Sequence, residues 1–162
     1  MRSVTPFLWF DDQAETAAAY YVSLFPDARI LRTDRYGAES AAASGRPAGS
    51  VMTVAFELGG QRFVALNGGP LFKFSGAVSF VVECESQPEL DRLWDGLADG
   101  GEPFPCGWVR DRFGMTWQVL PAGLDAMLRD PQRSGPVWQA MLAMKKLDGD
   151  ALKRVWEGIE RS

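Results

Sequence analysis

Few side chains in this sequence have the types and spacing that support chemistry, and histidine is missing altogether. Its absence removes Ser-His-Asp and Cys-His nucleophile pairs, HExxH zinc sites, two-His-one-carboxylate iron sites and imidazole proton shuttles. Two cysteines remain, Cys84 and Cys106. They are too few for a disulfide framework and read as buried thiols of a reducing compartment. Cys106 precedes Gly107-Trp108, with no base near it in sequence to make a thiolate. Arg110-Asp111-Arg112 and Lys73, between Phe72 and Phe74, are charges at turns, where solvation is their ordinary role. Gln118 sits in an apolar stretch, and a buried amide demands a partner, either a ligand or a neighbour such as Asn67 or Ser79. No residue is assigned catalysis on these grounds.

Those residues are carried by alternating elements. Val4–Phe10 is an apolar run closed by Asp11-Asp12, hence a strand. Ala14–Phe25 follows with Ala18, Tyr21, Val22 and Phe25 on one helical face, and Pro26 ends it. Ala28–Tyr36 alternates as a strand, and Gly37–Gly49 is small and polar, hence a mobile loop. Val51–Leu58 puts Met52, Val54, Phe56 and Leu58 on one face. Gly59-Gly60 is a two-residue hairpin signal, and Gln61–Asn67 returns. The second half repeats the order: a strand at Ala77–Cys84, a helix from the capping-box signature Ser86…Glu89 to Gly100-Gly101, then strands at Glu102–Arg110 and Met115–Leu120. Both halves read β-α-β-β-β, which makes the fold class α+β with an internal duplication. After Pro121 the pattern turns helical at Leu124–Leu128, Val137–Met144 and Ala151–Ile159.

Composition bounds the partners. The 162 residues hold 17 basic and 21 acidic side chains, a formal charge of −4, without a basic stripe, so nucleic acid is not an expected partner. No apolar run approaches the roughly 20 residues that span a bilayer, and Met1-Arg2-Ser3 runs directly into the first strand, so no membrane segment or leader is expected and cytoplasm is the expected location.

The segments TPFLWF, AYYVSLFP, VAFELGGQRFVALNGGP, FKF, CGWVRDRFGMTWQVLP and AMLAMKKLD, between Val4 and Asp148, resemble the PhnB-like branch of the vicinal-oxygen-chelate superfamily. That superfamily includes glyoxalases, extradiol dioxygenases and bleomycin-resistance proteins, and the branch often carries the label 3-demethylubiquinone-9 3-methyltransferase domain. The resemblance implies two βαβββ modules, at 4–68 and 77–121, rolled into a cupped mixed sheet as one domain over 1–121. A helical extension at 122–162 would pack on that domain or on a dimer partner.

Metal-using relatives place one ligand on each of four strands. The matching positions here are Thr5, Asn67 or its same-face neighbour Ala65, Ala77 and Gln118. None is a carboxylate, imidazole or thiolate, and neutral oxygens alone hold a divalent cation weakly. The expectation is a chain with no metal and no cofactor. Leu71 also departs from the polar residue or histidine that the family often carries in this stretch.

The resemblance then implies a metal-free small-molecule-binding protein whose cup is lined by Thr5, Phe7, Trp9, Asn67, Ser79 and Gln118, uncharged and suited to flat, neutral, aromatic ligands. The alternative is an enzyme: a lyase, isomerase or oxygenase like the metal-dependent relatives, or a methyltransferase as the label says. No strand–Gly-rich-turn–helix segment with an acidic residue beyond it is present to cradle a nucleotide-like methyl donor. A homodimer is expected from open strand edges and an apolar tail stripe of Trp138, Met141 and Met144.

Overall fold

In this computed structural model, which describes residues 4–158, the chain divides into two compact units with the boundary between Phe74 and Ser75. Each unit holds one four-stranded sheet.

The first unit runs β1 (Phe7–Phe10), α1 (Ala14–Leu24), β2 (Arg29–Arg35), α2 (Ala38–Ser44), β3 (Val51–Leu58) and β4 (Gln61–Asn67). Its strands lie in the order β1-β4-β3-β2, with β1 parallel to β4 and the other pairs antiparallel. The parallel pair needs a crossover, and α1 begins the connection that makes it possible. Alternation then sorts the side chains. Leu8, Phe10, Val54, Phe56, Phe63 and Ala65 are buried, and Tyr21 of α1 stacks on Phe56. The hairpin between β3 and β4 turns through Gly59 and Gly60, both at positive φ (51° and 79°), the conformation a two-residue hairpin loop requires.

The second unit runs β5 (Ser79–Cys84), α3 (Gln87–Ala98), β6 (Glu102–Pro103), β7 (Trp108–Arg110), β8 (Thr116–Pro121), α4 (Leu124–Arg129), α5 (Ser134–Leu142) and α6 (Gly149–Glu157). Its strand order, β5-β8-β7-β6 with β5 parallel to β8, repeats the first sheet element for element. Leu90, Leu93, Trp94 and Leu97 form the buried stripe of α3, as their spacing predicts. Ser86 caps that helix, accepting a hydrogen bond from the Glu89 N–H at 3.4 Å. Glu89 reaches back to the Glu85 N–H at 2.9 Å rather than to Ser86, so the reciprocal bond of the expected capping box is displaced by one residue. The three tail helices belong to this unit through Leu124, Val137, Met141, Leu147 and Leu152, all buried.

Four details depart from the sequence reading. Gly37–Gly49 is not loop throughout: its alanines form α2, ended by Gly45 at φ 69°; the high helix propensity of alanine outweighs the small polar composition. Glu102–Arg110 is not one strand. It breaks at Cys106 and Gly107, whose φ values of 65° and 80° make a turn between β6 and β7, and Cys106 is half-buried in that turn. The edge strands are shorter than expected, so Thr5 precedes β1 and Ala77 precedes β5. Met141 is buried within its own unit instead of joining an exposed stripe, while Trp138 and Leu142 remain exposed. Ile159, the expected end of the last helix, lies outside the described residues.

Candidate functional site

Each sheet has one face of buried alternating residues and a second face that stays more open. On the first sheet, register defines the open face. Phe7 pairs with Val64 and Trp9 with Leu66, while Val64 pairs with Ala55 and Leu66 with Thr53. Paired residues point to the same side, so Phe7, Trp9, Val64, Leu66, Thr53 and Ala55 share a face. Phe7 is exposed at 60%, and Leu71 and Phe72, just beyond β4, at 72% and 59%.

Trp9 is the best-held group on this face. Its indole N–H donates to the Gly69 carbonyl at 2.8 Å, and Phe72 meets its ring edge-on with centroids 5.0 Å apart. A Cβ at Gly68 would lie 2.3 Å from the Trp9 ring, so only glycine lets the ring occupy that place. The polar end of the indole is thereby satisfied internally, and the side chain is presented as an aromatic plane.

Asn67, expected beside Phe7 and Trp9, is placed on the other face. Its register partner is Phe10, and it is buried. Its Oδ1 accepts from the Ala14 N–H at the start of α1 (2.8 Å), its Nδ2 donates to the Val51 carbonyl (3.1 Å), and its carbonyl accepts from the Tyr36 hydroxyl (2.6 Å). Its same-face neighbour Ala65 is buried on that side too. A shift of one residue in strand pairing exchanges the faces, and parallel register cannot be read from alternation within a single strand.

The open face of the first sheet also differs from the uncharged surface expected. Towards β2 it carries Glu57, paired with Arg29 at 2.9 Å, and Asp34, which accepts from Arg32 (2.9 Å) and from the Thr53 hydroxyl (3.1 Å). Arg62 is the register partner of Glu57 on β4.

On the second sheet, Ser79, Val81, Thr116, Gln118, Trp108 and Arg110 share the corresponding face through the pairs Ser79–Thr116, Val81–Gln118, Trp108–Gln118 and Arg110–Thr116. The Gln118 side-chain N–H donates to the Ser79 hydroxyl at 2.9 Å, so the amide has the neighbour partner that half-burial demands. Trp108, half-buried opposite Gln118, belongs to this face and was not singled out from sequence. The break at Cys106-Gly107 resets the alternation that would have revealed it. Ala77 lies in the turn before β5 and contributes no strand position.

Trp117 is buried on the opposite side, and its N–H donates to Asp111 at 2.8 Å. Asp111 is itself buried and also accepts from the Phe113 N–H (2.8 Å) and the Met115 N–H (3.1 Å). Its neighbours are engaged as well: Arg110 pairs with Glu102 and lies over the Phe104 ring, and Arg112 pairs with Asp99. The Arg-Asp-Arg turn therefore organises a hairpin. Burial pushes the Cys84 thiol up to about 11, with nearby Glu89 adding to the effect and Arg92 opposing it, so Cys84 stays a neutral thiol at physiological pH. Among the described residues, no group of three or more Cys, Asp or Glu side chains is arranged to hold a metal ion. No described helix is long and apolar enough to cross a membrane.

Two units of the same strand order, each with a helix after its first strand, make a duplicated α+β fold. Residues 2–120 match the family described as 3-demethylubiquinone-9 3-methyltransferase, and the chain belongs to this PhnB-like family. The PhnB protein from Bacillus cereus is 30% identical and superposes with a TM-score of 0.66 over 75% of this chain and 100% of the other. Protein PA1353 from Pseudomonas aeruginosa, 21% identical, shares the fold with a TM-score of 0.60 over 75% of this chain and 98% of its own. No curated protein matches the sequence. The family match stops at 120, so AMLAMKKLD at 140–148 lies beyond it.

Proposed function

We propose that this chain is a metal-free small-molecule-binding protein that receives flat aromatic ligands on the open faces of its sheets. Thr5, Phe7 and Trp9 would serve on the first and Ser79 and Gln118 on the second, while Asn67 serves structure. One observation carries this reading: the indole of Trp9 is fixed in place with its N–H already satisfied, beside exposed Phe7 and Phe72. An aromatic plane held this way loses little freedom when a second ring stacks on it. Single apolar residues on a surface are ordinary, but a cluster of exposed aromatics marks a contact site.

The test is a thermal-shift and titration series comparing naphthols and quinones with small aliphatic phosphates, repeated on Trp9→Ala and Gln118→Leu. Aromatic compounds should bind preferentially. Trp9→Ala should weaken them by a factor of about 2–10, the equivalent of roughly 0.5–1.5 kcal/mol of stacking. Hits confined to aliphatic phosphates, or aromatic binding that neither substitution weakens, would sink the reading.

The assembly belongs to the same proposal: a cytoplasmic homodimer. Strands β1 and β5 each end their sheet order, and Trp138 and Leu142 stand exposed one turn apart on α5. Light scattering at micromolar concentration should return twice the chain mass, and a monomer mass would refute it.

A further inference from the structure

The first module's open face pairs an apolar patch with unmatched positive charge. Phe7, Leu71 and Phe72 are exposed around Trp9. Arg62 lies two residues before Val64, the register partner of Phe7, and so projects from the same face at the Thr5 end of the patch. Lys73 directly follows Phe72 in the chain. The side chains of Arg62 and Lys73 have no hydrogen-bond or ion-pair partner among the described residues, and both are exposed. The carboxylate nearest Arg62 by register, Glu57, is engaged by Arg29 at 2.9 Å, and Asp34 is engaged by Arg32 and Thr53. The unpartnered side chains on β4 and beside Phe72 are therefore cationic, while the exposed Asp11 and Asp12 follow β1 at the end away from Arg62 and the whole chain carries a formal charge of −4.

From this juxtaposition we infer that the ligand of the first module is an aromatic carboxylate, its ring against Phe7, Trp9 and Phe72 and its anionic group towards Arg62. The inference rests on the proposed binding function and adds the charge of the ligand to it. A guanidinium matches the planar two-oxygen geometry of a carboxylate, and the exposed Lys73 beside Phe72 adds positive charge at the other end of the patch. Both cations stay in contact with water, so their contribution is modest and falls with salt.

Titration of the full chain with 2-naphthoate and with its uncharged counterpart 2-naphthamide, followed by Trp fluorescence and calorimetry, isolates the charge from the ring. Naphthoate should bind about threefold to tenfold more tightly at low salt. The gap should close at high salt and in the double variant Arg62→Gln/Lys73→Gln, whose exposed positions leave the core untouched. If the two compounds bind native protein equally, the charge inference fails while the aromatic reading stands. If the gap persists unchanged in the double variant, these cations are not its source and the inference is overturned. If neither compound binds, the aromatic reading fails as well.

Discussion

In the first module the hairpin that joins the last two strands turns through Gly59 and Gly60, both at positive φ. In the second module the equivalent hairpin turns through Asp111–Gly114, and the Asp111 carboxylate gathers N–H groups from Phe113, Met115 and Trp117. The open faces divide the same way. The first presents aromatic planes, with charge towards β2; the second presents a paired amide and hydroxyl, Gln118 and Ser79, with Trp108 opposite. One topology is thus held by backbone conformation in one copy and by side-chain hydrogen bonds in the other. Strand order depends on which faces are buried and on the parallel crossover, and both copies preserve those. How a turn closes is a local matter that each copy meets with its own residues.

The largest expected effect separates the two hairpins. Asp111→Ala leaves three donors, two of them backbone, around a small cavity in the buried part of the second module. Hydrogen bonds to a buried charge are strong and their orphaned donors costly, so the loss should be roughly 3–5 kcal/mol in a denaturant titration. Gly60→Ala in the first module should cost only about 1 kcal/mol, the penalty for placing a Cβ at positive φ, since nothing lies within 4 Å of that Cβ. Equal losses at the two sites would show that the hairpins are not held by different means.

Much of this architecture was legible in the sequence. Apolar alternation in Val51–Leu58, the Gly59-Gly60 signal, Ser86 before α3 and the Leu90–Leu97 stripe each state a local rule, and the structure obeys it. The duplication followed from element order alone. What was not legible depended on pairing across distance. Asn67 was expected in the cup because it matches the position of a family ligand, and its own strand gives two faces and no reason to choose; the β1–β4 register pairs it with Phe10 on the buried face. Trp108 was missed because the left-handed residues Cys106 and Gly107 interrupt the period-2 pattern, and non-glycine left-handed conformations have little sequence signature. The charges on the first open face were visible as residues, but their arrangement is a product of three adjacent strands.

The smallest expected effect concerns a connection the first module lacks. In the second, residues 144–149 run back over the β6–β7 turn: the Cys106 and Gly107 N–H groups donate to the carbonyls of Met144 and Lys145 at 2.8 and 2.9 Å. Gln87 clasps the same segment, donating to the Leu147 carbonyl at 3.0 Å and accepting from the Gly149 N–H at 2.9 Å. Lys146 adds ion pairs to Asp95 and Asp91 on α3, at 3.0 and 3.3 Å. The hydrogen bond from Gln87, and then Lys146, hold the Asp91 carboxyl below its usual range, while Asp95 and then Asp91 raise the Lys146 ammonium above its own. The signs fix the pH window. The depressed carboxylate stabilises the fold above its ordinary titration range, and that contribution is lost as acid takes the pH down through the depressed value. The raised ammonium stabilises below the ordinary lysine range, and its contribution is lost as the pH climbs through the raised value. Across neutral pH the contribution is constant. All three groups are partly exposed, so Lys146→Met should cost under about 1 kcal/mol at low salt and less at high salt. The measurement is denaturant unfolding of native and variant protein at neutral pH, in acid and in alkali. A difference that is constant at neutral pH and shrinks at both extremes supports the clamp. A difference that persists unchanged in acid, alkali and high salt would mean that the lysine stem acts through packing, leaving Gln87 and the backbone bonds to hold the segment without electrostatic help.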